Sequence, residues 1–262
     1  MSRKILVWTG VGLLAAGSLN VTGAAAGQPA NSGKAMLLAD SSGESGGEGG
    51  AGTAPELESD LEFFTAVSMV EAHAILAVEL SGSASAAEHL MHPAQELFKE
   101  LLPELERRKL PGFIPALDAL AAAITQRKPA PEVKAELAKL SHALTATRGP
   151  LMAKAEIAVP VALRLMRKAV NEYAEGVKDG KIAELEEYQD AWGITATARD
   201  IIANLPAAER SEYAGPVAEI EAEFAKLKEA WPSLDGATPI TADPGLLAAA
   251  AARMELAAFE IK

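Results

Sequence analysis

From Leu57 onward, apolar residues recur at spacings of three and four, and alanine, leucine, glutamate and lysine dominate the composition. Strict alternation of polar and β-branched residues is absent, so the pattern predicts helices and no sheet. The breaks fall at glycine and proline. They delimit helices over Leu57–Leu80, Ala84–Arg108, Phe113–Arg127, Pro131–Thr147, Leu151–Val177, Ile182–Leu205, Ala207–Trp231 and Pro244–Ile261. Ser59-x-x-Glu62 has the form of a capping box for the first of these. Pro131 stands where proline opens a helix. Pro93, Pro103, Pro160 and Pro216 lie inside predicted helices, where each removes a backbone donor and is expected to bend the chain. Gly193 is expected to interrupt its helix mildly. The fold class that follows is all-α: an up-and-down helical bundle, or a pair of bundles, of about seven or eight helices. Gly149-Pro150 divides a first half, 56–148, from a second, 149–262.

The stretch before these helices has a different character. Ser2-Arg3-Lys4 is a basic start, Ile5 to Leu19 is apolar and broken by glycine, and Ala24-Ala25-Ala26 offers a small-residue cleavage site. Residues 1–26 therefore read as a signal peptide cleaved after Ala26, which predicts a periplasmic or secreted protein. An uncleaved anchor is the alternative, although the run is short for a span. Residues 27–55 are rich in glycine, serine and glutamate and hold almost no bulky apolar residue after Leu38. They read as a disordered tether. No later stretch approaches a charge-free span, so the mature chain is expected not to cross a membrane.

Charge and cysteine content narrow the chemistry. With 36 acidic against 24 basic residues and a net charge of −12, the chain repels phosphate backbones, which argues against nucleic acid as a partner. The chain has no cysteine, which excludes disulfides, thiolate metal sites, cysteine nucleophiles and a cysteine-linked lipid anchor. There is no nucleophile elbow, phosphate-cradling glycine loop or His-Glu-x-x-His motif. No enzymatic activity is predicted.

The histidines carry the sharpest clue. Three of four lie within twenty residues, as His73, His89 and His92, and Ser81-Gly82-Ser83 is a turn signal between them. His73 precedes Gly82 by nine residues and His92 follows it by ten, so a helical hairpin brings them to one level. His89, His92 and Glu96 fall within an arc of about 60° on a helix. Pro93 cannot donate to the carbonyl of His89. His73, His89, His92 and Glu96 are thus candidate metal ligands, with Met69 one turn before His73 as a secondary one. Imidazole suits iron, copper and zinc. Glu96 favours iron or zinc, and Met69 or Met91 would favour copper. The bland alternative is a set of half-buried histidines satisfied by neighbouring carboxylates. Non-covalent haem with a histidine axial ligand is a further option. His142 has no partner pattern and reads as structural.

A second segment is distinctive: Tyr173-Ala174-Glu175-Gly176-Val177-Lys178-Asp179-Gly180-Lys181-Ile182, followed by Glu187-Tyr188-Gln189-Asp190-Ala191-Trp192-Gly193. It resembles a helix–turn–helix motif in the extracytoplasmic region of bacterial high-affinity iron permeases and, more distantly, the imelysin-like iron-uptake proteins. The matching positions are Tyr173, Asp179, Gly180, Glu187 and Tyr188. The resemblance implies iron as the favoured metal and an inner-membrane metal permease, or another envelope protein, as partner. Read from the residues alone, Glu184, Glu187 and Tyr188 are neighbours on one helix. They can bind a hard cation or form a solvated helix start, and Tyr173 and Tyr188 can pack across the turn. The reading that follows is a periplasmic helical metal-binding accessory protein. Its competitor is a cofactor-free interaction or scaffold module.

Overall fold

The first helix begins where its cap residues require. The Ser59 hydroxyl accepts from the Glu62 amide, and the Glu62 carboxylate accepts from the Ser59 amide, closing a capping box on α1, Asp60–Glu79. The structure is a computed structural model; it describes residues 59–261 apart from 84 and 244, and for 91–96 the backbone alone. The signal peptide and the tether expected from the sequence lie outside the described residues.

Eight further helices follow among the described residues: α2 Ala86–Arg108, α3 Ile114–Thr125, α4 Ala130–Arg148, α5 Ala155–Gly176, α6 Leu185–Ala203, α7 Ala207–Glu212, α8 Ala214–Lys226 and α9 Leu246–Ala258. The protein is all-α. Eight helices were expected between Leu57 and Ile261; the ninth arises because 207–231 is split at Tyr213. Pro216 then sits in the first turn of α8, where its missing N–H costs nothing, and opens a helix instead of bending one. Helices α2 and α5 run on through Pro93, Pro103 and Pro160. Asp179-Gly180, expected as a tight break, forms the two-residue turn of a miniature hairpin, β1 Val177–Lys178 paired antiparallel with β2 Lys181–Ile182. Both turn residues have positive φ, 54° and 70°, the type I′ geometry that Asp-Gly favours.

The core is centred on α1. That helix buries residues all around its circumference, among them Phe63, Val67, Val70, Leu76 and Ala77. By length and composition alone α1 could span a membrane, contrary to the expectation that no later stretch would; 72% of that segment is buried inside the protein, as in a central core helix. Helix α1 packs against α2, α4, α5 and α6, so the halves on either side of Gly149 share one hydrophobic core, and the described residues belong to one compact unit.

Polar ties, some buried and some at the surface, fix the helices in register. Arg108 of α2 bonds Glu104 and Asp60 and lies 4.6 Å from the centre of the Phe63 ring. Arg148, at the end of α4, reaches Glu71 at 2.6 Å and Ser68 at 3.0 Å on α1. Two glycines bring α6 close to its neighbours. A Cβ on Gly193 would stand 2.8 Å from the Ala72 carbonyl oxygen, and one on Gly176 would stand 2.4 Å from the Tyr188 nitrogen. Gly193 therefore does not interrupt α6; it allows α1 to approach.

Candidate metal centre

Close approach of α1 and α6 has a chemical consequence. His73 is next to Ala72, and Asp190 is one turn before Gly193, so the glycine contact holds the two side chains together. Helix α2 returns from the Gly82 turn (φ 104°) and adds His89 in its first turn. The His73 Nδ1 lies 3.3 Å from Asp190 Oδ1, and the His89 Nδ1 lies 2.9 Å from the same oxygen. His73, His89 and Asp190 each offer one ligand atom within 4.8 Å of the others. All three are buried: 7%, 1% and 8% exposed.

The ring of His89 is held from both sides. Its Nε2 is 2.9 Å from the Gln189 Oε1, and the Gln189 amide nitrogen donates to the Leu234 carbonyl at 2.7 Å. Both ring nitrogens thus face acceptors, an arrangement that favours the doubly protonated ring. Burial opposes that charge, but the bonds to Asp190 and Gln189 outweigh it, and the pKa of His89 is raised. Burial would likewise push Asp190 up; the bonds from His73 and His89 overcome it and hold the carboxyl at about 2.

Beside this trio stands a carboxylate group from α5 and α6. Glu172, Glu175 and Glu187 bring one oxygen each within 4.8 Å of one another. Burial first, then a hydrogen bond to Glu187 and the negative charges of Glu187, Asp190 and Glu175, raise Glu172 to about 8. The raised value keeps the Glu172 carboxyl protonated at neutral pH.

The donor set fits a transition metal. Imidazole nitrogens and a carboxylate oxygen are the ligands iron and zinc accept where no thiolate is available. An ion bound at ordinary lengths spaces neighbouring ligand atoms by roughly 3 Å, and the observed separations are 2.9 and 3.3 Å. The same separations are those of hydrogen bonds, so a proton or a cation can bridge these atoms.

Of the residues singled out from the sequence, the structure brings His73 and His89 together. The side chains of His92 and Glu96 lie outside the described residues. Met69 is half-buried and packs against the core. Glu184 is exposed at the start of α6, while Glu187 joins Glu172. Tyr173 and Tyr188 pack with Trp231, with ring centres 5.5 and 6.5 Å from the indole, and their hydroxyls donate to the carbonyls of Ala230 and Ser233. Burial raises both phenols, Tyr188 to about 12, which opposes phenolate ligation. His142 is exposed on α4. Sequence reasoning passed over Asp190, Gln189 and Glu172. Asp190 carried a readable signal, an acid sharing a helical face with Ile194 and Thr197.

Residues 148–258 match the iron permease-associated 4-helix bundle domain. This relates α5 to α9 to a helical region associated with iron permeases; the match does not extend to imelysin-like proteins. No curated protein and no solved structure matches the chain. The matched segment contains Glu172, Glu175, Glu187, Gln189 and Asp190, whereas His73 and His89 lie outside it. The candidate centre therefore forms where the α1–α2 hairpin meets the matched segment.

Proposed function

We propose that this chain is a non-catalytic metal-binding protein of the bacterial periplasm or cell exterior, accessory to iron acquisition, that holds a transition-metal ion as cargo. His73, His89 and Asp190 would be the principal ligands, with Glu172 and Glu187 as neighbouring carboxylates. His92 and Glu96, on the same helix as His89, remain candidate ligands. The observation that carries the reading is the convergence of two imidazoles and a carboxylate, from three helices, on one buried point. The relation of α5–α9 to an iron-permease-associated domain supports iron over copper or zinc, and an envelope permease as the partner.

The test is titration of the purified chain with iron(II), zinc(II) and copper(II), read by calorimetry and thermal unfolding. A ligand that binds only the folded state at a hundred times its Kd stabilises by about 2.7 kcal/mol. That gain is expected in the wild type, lost in the His73→Ala/His89→Ala double variant and kept in His142→Ala. A second reading, a cofactor-free scaffold, draws on the closed bonding of His89 between Asp190 and Gln189, which satisfies the buried ring without a metal. Thermal stability indifferent to all three metals and to chelator would favour it.

A further inference from the structure

The orientation of one amide determines which nitrogen of His89 is open to a ligand. Gln189 Nε2 lies 2.7 Å from the Leu234 carbonyl oxygen. Reversing the amide would set two acceptor oxygens against each other at that distance, so the amide oxygen must be the end that faces His89. That oxygen lies 2.9 Å from His89 Nε2 and cannot donate. The ring nitrogen must therefore carry the proton.

We infer that Gln189 is a positioning residue: it keeps His89 Nε2 protonated and leaves Nδ1 as the only nitrogen of that ring free to exchange its proton for a cation. The ligand half of this inference rests on the metal-binding reading above; the tautomer half does not. Asp190, the next residue on α6, faces the opposite ring nitrogen, so one dipeptide grips both sides of the imidazole. His73 also presents Nδ1 to Asp190, so the two rings offer the same nitrogen to one point.

The clamp is tied to the segment after Trp231. Besides Gln189 to Leu234, Tyr188 donates its hydroxyl to the Ser233 carbonyl at 2.9 Å, and the Trp231 indole donates to the Tyr188 carbonyl at 3.0 Å. These three bonds hold residues 231–234 against α6 in a single register, which in turn fixes the carbonyl that orients the amide. A histidine ligand is ordinarily tuned through the hydrogen bond of its other nitrogen, and loss of that partner typically costs 10- to 100-fold in metal affinity.

The experiment uses the full chain labelled with 15N-histidine, long-range proton–nitrogen correlation spectra, and zinc(II) alone as the probe. In the wild type, Nε2 of His89 is expected to carry a proton with and without zinc, and zinc is expected to shift Nδ1. Gln189→Met keeps the side-chain shape and removes the acceptor. It is expected to weaken zinc binding 10- to 100-fold and to release the fixed Nε2 proton. Gln189→Glu keeps an acceptor toward Nε2, while its other oxygen meets the Leu234 carbonyl and must hold a proton there; it is expected to recover the Nε2 proton and part of the affinity, and it decides the matter if the methionine variant does not fold. An unchanged Nε2 signal and unchanged zinc affinity in Gln189→Met would overturn the inference. If zinc moves no histidine signal in the wild type, the metal-binding reading fails, while the response of the Nε2 proton to Gln189→Met still decides the positioning role.

Discussion

His89 and Asp190 stand 101 residues apart in the chain and 2.9 Å apart in the fold. Their pairing ties α2 to α6 through a buried ion pair at the centre of the candidate site. Removing one partner of such a pair strands the other charge, and typically costs 3–5 kcal/mol, whereas an isosteric acceptor limits the loss. Asp190→Ala is therefore expected to lower stability by about 3–5 kcal/mol, and Asp190→Asn by about 1–2 kcal/mol. Urea unfolding checks this. The midpoint should fall while the slope stays unchanged.

Glu172 predicts an unusual pH profile. Its carboxyl is raised from 4.5 to about 8 by burial and by Glu187, so the folded state holds a proton that the unfolded chain gives up. Its contribution to stability is complete below pH 4.5 and is lost as pH rises through about 8. Glu172→Gln should flatten that part of the profile and leave the protein more stable than the wild type at pH 8.5. Unfolding midpoints measured from pH 5 to 9 in metal-free buffer test this, and a wild-type profile already flat across that range would contradict it.

Gly193 makes a steric prediction. A methyl group there meets the Ala72 carbonyl oxygen at 2.8 Å and the Leu76 Cβ at 3.1 Å, so α1 and α6 must separate. Gly193→Ala is expected to destabilise by about 1–3 kcal/mol, the usual cost of overpacking a core. Alanine is ordinarily favoured over glycine within a helix, so a gain in stability would refute the close approach. Because the same contact sets the spacing of His73 and Asp190, metal affinity should fall with it.

Tyr188 separates packing from ligation. Its hydroxyl donates to the Ser233 carbonyl and its ring is fully buried. Tyr188→Phe should cost about 0.5–1.5 kcal/mol, the net value of a hydrogen bond; because the Trp231 and Gln189 bonds still hold residues 231–234 against α6, metal affinity in calorimetric titration should change little. A loss of affinity much greater than the loss of stability would return Tyr188 to the set of ligands.

How much of the site was legible follows from where its parts lie. His73 and His89 flank a local turn, and the three- and four-residue periodicity of α1 and α2 was enough to predict that they converge. Asp190 and Gln189 are a hundred residues further on. They were visible within a distinctive stretch, yet nothing local says that α6 lies against α1. Gly193 illustrates the gap: read along the chain, a glycine inside a helix is a weak point, but across the interface it is the residue that allows the Ala72 carbonyl to approach. The tyrosines show the same gap from the other side. Their place in an acidic segment drew attention as ligands, while the partners that bind their hydroxyls come from residues 230 and 233, far along the chain.

The sequence by itself determined the all-α class, the position of most helices, the capping box at Ser59, the absence of thiol chemistry and the histidine hairpin. Each of these depends on residues within a few turns of one another. Only the tertiary structure decided that Asp190 joins the histidine pair, that Gln189 meets the His89 ring and that Glu172 lies beside Glu187. Those relations depend on α2, α5 and α6 meeting around α1, and that packing is set by the combined burial of many side chains, with no single motif to mark it.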